Sequence, residues 1–142
     1  MMRDVNQSCT NDFNRLLLKL YLVVSTSTQG DEKNKYITFE EFSRVHLKIG
    51  KVIQAKDVPG MKKVFKVTVD IGDEQRDLAV GAALHYKSEE LVGKVVVVCT
   101  NLEPKKIGSI ISNGMLLAAV GDEGRPIFLT ITEDVNVGSI IQ

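Results

Sequence analysis

The chain has no tryptophan, two histidines, two cysteines, three prolines and only 6% aromatic residues in a length of 142. Cys9 and Cys99 stand far apart in dissimilar contexts, and neither has metal-ligand spacing around it, so no zinc site or disulfide framework is expected. That usage suits a reducing, cytoplasmic setting, with Cys99 acting as a small buried hydrophobe and Cys9 exposed. His46 and His85 lack acidic or thiol partners at a ligand spacing. There is no Walker loop and no GxGxxG after a strand, and nothing suggests a nucleophile with its base. The expectation is a non-catalytic module with no metal and no cofactor. Few aromatics means few stacking platforms, which argues against a general single-strand binder. Long apolar runs are missing too. LLLKLYLVV (16–24) is interrupted by Lys19, follows Asp4 and Asp12, and is too short to span a bilayer. It reads as a docked amphipathic helix or a tail rather than an export signal.

What is present is sorted charge. The net charge is zero, yet Arg44 to Lys66 holds seven basic residues against Asp57 alone, and Val67 to Glu90 holds six acidic against two basic. Overall neutrality therefore hides a polarised surface.

Composition divides the chain into an N-terminal extension and linker, residues 1–35, and one domain, residues 36–142. In the domain, Thr38 followed by Glu41 is a capping box, which predicts a helical turn over 39–43. VHLKIGKVIQAKDV has β-branched residues without helical period, and Gly50 in mid-run predicts a bulge or bend. KVFKVTVDIG alternates, with Phe65, Val67, Val69 and Ile71 on one face and Val64, Lys66, Thr68 and Asp70 on the other. RDLAVG is a third strand. KSEELVG is a short helix capped by Ser88 and stopped by Gly93. KVVVVCT and MLLAAV are strands four and five, with a further strand at Ile127–Ile131 and an edge piece at Val135–Ile141. An all-β, five-stranded OB-fold barrel with a short helix between strands 3 and 4 has this order.

Such barrels offer strands 2 and 3 and the 1–2 and 4–5 loops to a ligand. Lys48 and Lys51 flank the bend, Lys62 and Lys63 fill the first loop, and Lys105 and Lys106 fill the second. Several lysines along one groove would give salt-sensitive attachment to a nucleic-acid backbone. Lys56 and Lys66 read equally well as a solvated strand face. Phe65 faces the core by parity, which leaves Tyr86 as the stacking candidate and favours a folded RNA recognised by shape and backbone.

At this point the motifs resemble a known family. FEEFSRVHLKIGKV, PGMKKV, VGAALHYKSEELVGKVVVV and above all NLEPKKIGSIISNGM (101–115) are similar to the tRNA-binding domain. That domain occurs as a free-standing homodimer, as an appendix or β subunit of methionyl-tRNA synthetase, and in the endothelial-monocyte-activating polypeptide group. The resemblance covers about three quarters of the chain. This sequence departs from the family pattern at His46, Lys48, Val80, Gly108 with Ser109, and Ile111.

The resemblance implies a non-catalytic tRNA-binding protein acting in trans for a methionyl-tRNA synthetase. Lys48, Lys51, Lys63, Lys105 and Lys106 would contact phosphates, and Ser112 and Asn113 would contact sugar or base edges. It also implies a homodimer formed through the C-terminal extension, Ile127 to Ile141. Alternatives are a peptide-binding, chaperone-like OB-fold dimer, and an assembly role in which residues 13–24 dock a synthetase or scaffold.

Overall fold

The computed structural model describes residues 35–142. The expected helical piece at 13–24, the linker as far as residue 34, and Cys9 lie outside the described residues. The described chain begins with α1 (Phe39–Ser43), closed by the expected capping box. The Glu41 amide donates to Thr38 Oγ1 at 3.0 Å and the Thr38 amide to Glu41 Oε1 at 2.8 Å. A single turn of helix has too little propensity to persist alone, so this reciprocal pair defines it.

Strand β1 (Leu47–Val58) pairs with β2 (Met61–Asp70) from Lys51 onward and with β4 (Val95–Cys99) from Leu47 to Lys51. One strand thereby serves two neighbours on successive halves of its length. Gly50 lies at the crossover. A Cβ there would stand 2.6 Å from Val69 Cγ1 and 3.2 Å from the Asp70 carbonyl, so close approach excludes a side chain. Of the bulge or bend expected at Gly50, the bulge falls instead between Val52 and Gln54, where the β1–β2 register shifts. The extra residue there is Ile53, whose side chain is exposed.

β2 bears out the alternation. Phe65, Val67 and Val69 are buried in the main core with Val52, Leu78 and Val98, and each contributes about 1.5–3 kcal/mol by leaving water. The opposite face carries Lys66 and Thr68, as expected, but its end is not wet. Val64 is buried in a second cluster with Ala79, Ile107 and Ile110.

β3 (Gln75–Val80) completes the β1–β2–β3 meander, and α2 (Ser88–Leu91) precedes β4. The helix begins one residue earlier than Ser88 capping would require. Lys87 is the N-cap, and its amide is taken by Glu90 Oε1 at 2.7 Å. The expected fifth strand is divided: β7 (Met115–Leu116) pairs with β4, whereas β8 (Ala118–Val120) pairs with β9 (Pro126–Phe128). The later strand is thus Pro126–Phe128 rather than Ile127–Ile131. The edge piece contracts to β10 (Ile140–Ile141), which lies against Leu47 and Lys48.

The fold is mostly β, and its main sheet runs β3-β2-β1-β4-β7. That is the expected strand order, but among the described residues no ladder joins β3 to β7, so the barrel is not closed by strand pairing. Side chains and one backbone bond bridge the gap instead. Beyond β7 the extension is held by Tyr86, whose hydroxyl donates to the Pro126 carbonyl at 2.8 Å. The Arg125 guanidinium sits 4.3 Å above the same ring, and the Phe128 ring centroid lies 5.4 Å away.

Replacing Gly50 by Ala should destabilise the domain by about 1–3 kcal/mol, the usual cost of overpacking a filled site. Thermal denaturation of the variant checks this; an unchanged midpoint would mean that β1 has slack at its crossover.

Candidate nucleic-acid interface

The loop after β4 folds into a small hairpin of β5 (Lys105–Ile107) and β6 (Ile110–Ser112), paired Lys105 with Ser112, Lys106 with Ile111 and Ile107 with Ile110. Alternation sends Ile107 and Ile110 into the second core cluster and leaves Lys106 and Ile111 together on the outer side. At the tip Gly108 has φ of 63°, and a side chain there would collide with the Met61 thioether. Met61 opens β2 just after the Pro59–Gly60 turn. The 1–2 and 4–5 connections therefore meet, as expected, and Lys62 and Lys63 follow directly from the contact.

Polar anchors hold the hairpin base. Ser112 is fully buried: its Oγ accepts from the Ala79 amide at 3.0 Å and donates to the Gly114 carbonyl at 3.1 Å. The Asn113 amide donates to the Asp77 carbonyl at 2.9 Å. At the start of the loop, the Asn101 side chain accepts from the His46 amide at 2.9 Å and donates to the Arg44 carbonyl at 2.6 Å. Arg76 reaches from β3 to the Thr100 carbonyl at 2.5 Å and the Asn113 carbonyl at 3.3 Å. Burial pushes the Cys99 thiol up from its ordinary range, and a hydrogen bond with the Asn101 backbone partly offsets the shift. Cys99 is buried, as expected.

The expected contact residues now separate. Lys106 is exposed; Lys63 and Lys105 are half-buried. Lys48 lines a groove of about 300 Å³ beside Phe39, Phe42, Ile140 and Ile141, a different feature of the surface. Lys51 is exposed and pairs across the sheet with Asp70. Asn113 keeps its side chain half-exposed while its backbone is committed to β3. Ser112 corrects the expectation of an RNA contact: its hydroxyl lies inside, with both its bonds made to the protein. Tyr86 is likewise spent on Arg125, Phe128 and Pro126 rather than left free as a stacking platform.

Three features were missed by reading the sequence. Arg76 shares the core-facing parity of Leu78 and Val80, and an arginine in phase with buried residues is the signal that could have revealed it. Asn101 was visible as part of a motif but carried no assigned role. Lys56 stands directly across from Lys66. Like charges so placed oppose folding, although Lys66 has Asp77 at 3.7 Å.

Among the described residues, the lysines of the two converging loops form no ion pair. The ion pairs there are Lys66 with Asp77 and Arg76 with Glu74, so no described carboxylate pairs with Lys62, Lys63, Lys105 or Lys106. No group of His, Cys, Asp and Glu is placed to hold a metal among the described residues.

A mostly β domain of OB-like strand order, displaying an anchored, lysine-bearing hairpin, belongs to the class of binding modules. The family model described as "Putative tRNA binding domain" matches residues 47–140, and the chain belongs to that family. It is 41% identical over 124 residues to a methionine–tRNA ligase of Methanocaldococcus jannaschii, covering 87% of this chain and 19% of that protein. To the Methanoregula boonei ligase it is 47% identical over 119 residues, covering 84% and 18%. The chain thus spans less than a fifth of the length of these curated relatives. Among solved structures, a MetRS-related protein from Pyrococcus horikoshii superimposes with a TM-score of 0.71 at 33% identity, over 77% of this chain and all of that one. The chaperone CsaA from Picrophilus torridus gives 0.68 at 25% identity, covering 75% of this chain and 100% of that one.

Ser112→Ala should strand the buried Ala79 amide and cost about 1–3 kcal/mol of stability. A melting curve together with an RNA-binding isotherm checks the assignment. Lost affinity at unchanged stability would instead make Ser112 a contact.

Proposed function

We propose that this chain is a non-catalytic module that binds folded tRNA and acts in trans beside the catalytic subunit of a methionyl-tRNA synthetase, in the cytoplasm. The observation that carries the reading is the set of lysines that have no ion-pair partner among the described residues, on two connections that meet at Gly108 and Met61. Ammonium groups fixed on a rigid hairpin attract phosphate without first breaking an ion pair, and each phosphate they neutralise releases counterions. The ligase relatives carry the matching segment within a far longer chain, which supports the link to methionyl-tRNA synthesis. Among the described residues no helix is long and apolar enough to cross a membrane.

Lys63, Lys105 and Lys106 form the phosphate-binding centre, with Lys62 beside them and the half-exposed Asn113 at the hairpin exit. Lys51 and Lys48 lie outside that centre and contribute at longer range. Heat-denatured RNA should compete poorly, because a fixed array of charges matches a folded backbone rather than a flexible one. Replacing Lys105 and Lys106 together by Ala should weaken tRNA binding and flatten the slope of log K against log salt by about 1.5, with the melting temperature unchanged. Filter binding over a salt series measures it, and an unaltered slope removes the hairpin from the site.

The protein works as a homodimer in this reading. The C-terminal extension exposes Ile127, Leu129, Val135 and Ile140, and the last of these adjoins Phe39 and Phe42 of α1. Water-exposed apolar side chains in that number favour a partner surface. Sedimentation of Ile140→Lys should show a shift from dimer to monomer; a wild-type protein that sediments as a monomer rejects the dimer outright.

A second reading, a peptide-binding chaperone-like dimer, is supported by the likeness to CsaA from Picrophilus torridus. It would show itself as binding of an unfolded polypeptide that excess tRNA does not displace.

A further inference from the structure

We infer that Arg76 is a positioning residue for RNA binding, a clamp that fixes both ends of the lysine-bearing loop. The inference rests on the reading of Lys105 and Lys106 as phosphate ligands.

Arg76 lies on β3, paired with Val69, and its side chain is largely buried. Its Nη1 donates to the carbonyl of Thr100, where the loop leaves β4, and to that of Asn113, where the loop returns to β7. Both residues lie outside strands, so neither carbonyl belongs to a ladder. The other edge of the guanidinium is held by Glu74, whose Oε2 accepts from Nη2 at 2.9 Å and from Nε at 3.3 Å. Glu74 supplies the counter-charge and fixes the plane of the fork; the remaining edge then points at the two loop ends.

Outside the β4–β7 ladder, the other polar anchors each hold one end. Asn101 ties the start of the loop to residues 44 and 46, and Ser112 and Asn113 tie its end to β3. The β4–β7 ladder pairs Cys99 with Met115, and just beyond it Arg76 adds a side-chain tie between the two ends. It does so where β3 and β7 lack a ladder, and with the Ser112 and Asn113 bonds to β3 it bridges the seam in place of strand pairing. Holding the ends lowers the conformational freedom that Lys105 and Lys106 would otherwise lose on meeting RNA. A lysine at 76 would keep the charge but not the planar fork.

The test uses the full chain in filter binding of folded tRNA over a salt series. It compares wild type, Arg76→Lys, Arg76→Gln, Lys105→Ala/Lys106→Ala, and that double variant combined with Arg76→Lys. Arg76→Lys and Arg76→Gln should each weaken binding on the order of tenfold, the scale of one charge-assisted hydrogen bond. The salt slope should stay within error of wild type for Arg76→Lys, because the loop lysines still reach phosphate. In the Lys105→Ala/Lys106→Ala background Arg76→Lys should add nothing.

An Arg76→Lys protein that binds as wild type overturns the clamp. So does an equal loss in both backgrounds, which would mean that Arg76 acts elsewhere. If the Arg76 variants do not fold, Glu74→Gln loosens the fork more gently. Amide exchange should then quicken over residues 100–114 while β1 and β2 are unchanged, and uniform or unaltered exchange overturns the clamp. If Lys105→Ala/Lys106→Ala binds as wild type, the RNA-binding role of the hairpin falls instead, and exchange over 100–114 still decides whether Arg76 holds the loop.

Discussion

Strand β1 has to be the neighbour of two strands that cannot both lie along its whole length, and the absence of a side chain at Gly50 is what allows it to pass from one to the other. A Cβ at that point would lie inside the van der Waals envelope of Val69 and against the Asp70 carbonyl. With the crossover made, β2 and β3 extend the sheet one way and β4 and β7 the other. The inner faces of β2, β3 and β4 then converge on one core. The loop between β4 and β7 is thereby forced across the free edge of β3. The lysine-bearing hairpin is placed by that path.

The stretch NLEPKKIGSIISNGM consequently has two kinds of residue in it. Asn101, Ile107, Gly108, Ile110 and Ser112 hold the hairpin down through hydrogen bonds, burial and close approach. Lys105 and Lys106 are what the hairpin displays. A rigid display matters because phosphate binding by a lysine on a floppy loop is opposed by the entropy of ordering the loop. Most of a motif that identifies a binding family can therefore be scaffold.

Local patterns were legible from the chain alone. The capping box at Thr38 and Glu41 and the alternation of β2 are properties of residues within a few positions of one another, and they appear in the structure as expected. Departures arose where a distant partner intervened. Val64 reads as the wet side of a strand, but Ile107 and Ile110 cover it. MLLAAV reads as one strand, but β4 claims its first half and β9 its second. Tyr86 reads as free for stacking, but Arg125 and Phe128 occupy its ring.

By itself the sequence determined the strand order, the family and which residues carry charge into the two loops, because periodicity, turn chemistry and motif spacing are written in neighbouring positions. Only the tertiary structure decided which polar groups turn inward. Ser112 finds the Ala79 amide 33 residues away, and Arg76 finds its carbonyls 24 and 37 residues away. A buried polar group is tolerated only when it is hydrogen-bonded, and whether a partner will be there depends on the chain returning to that place.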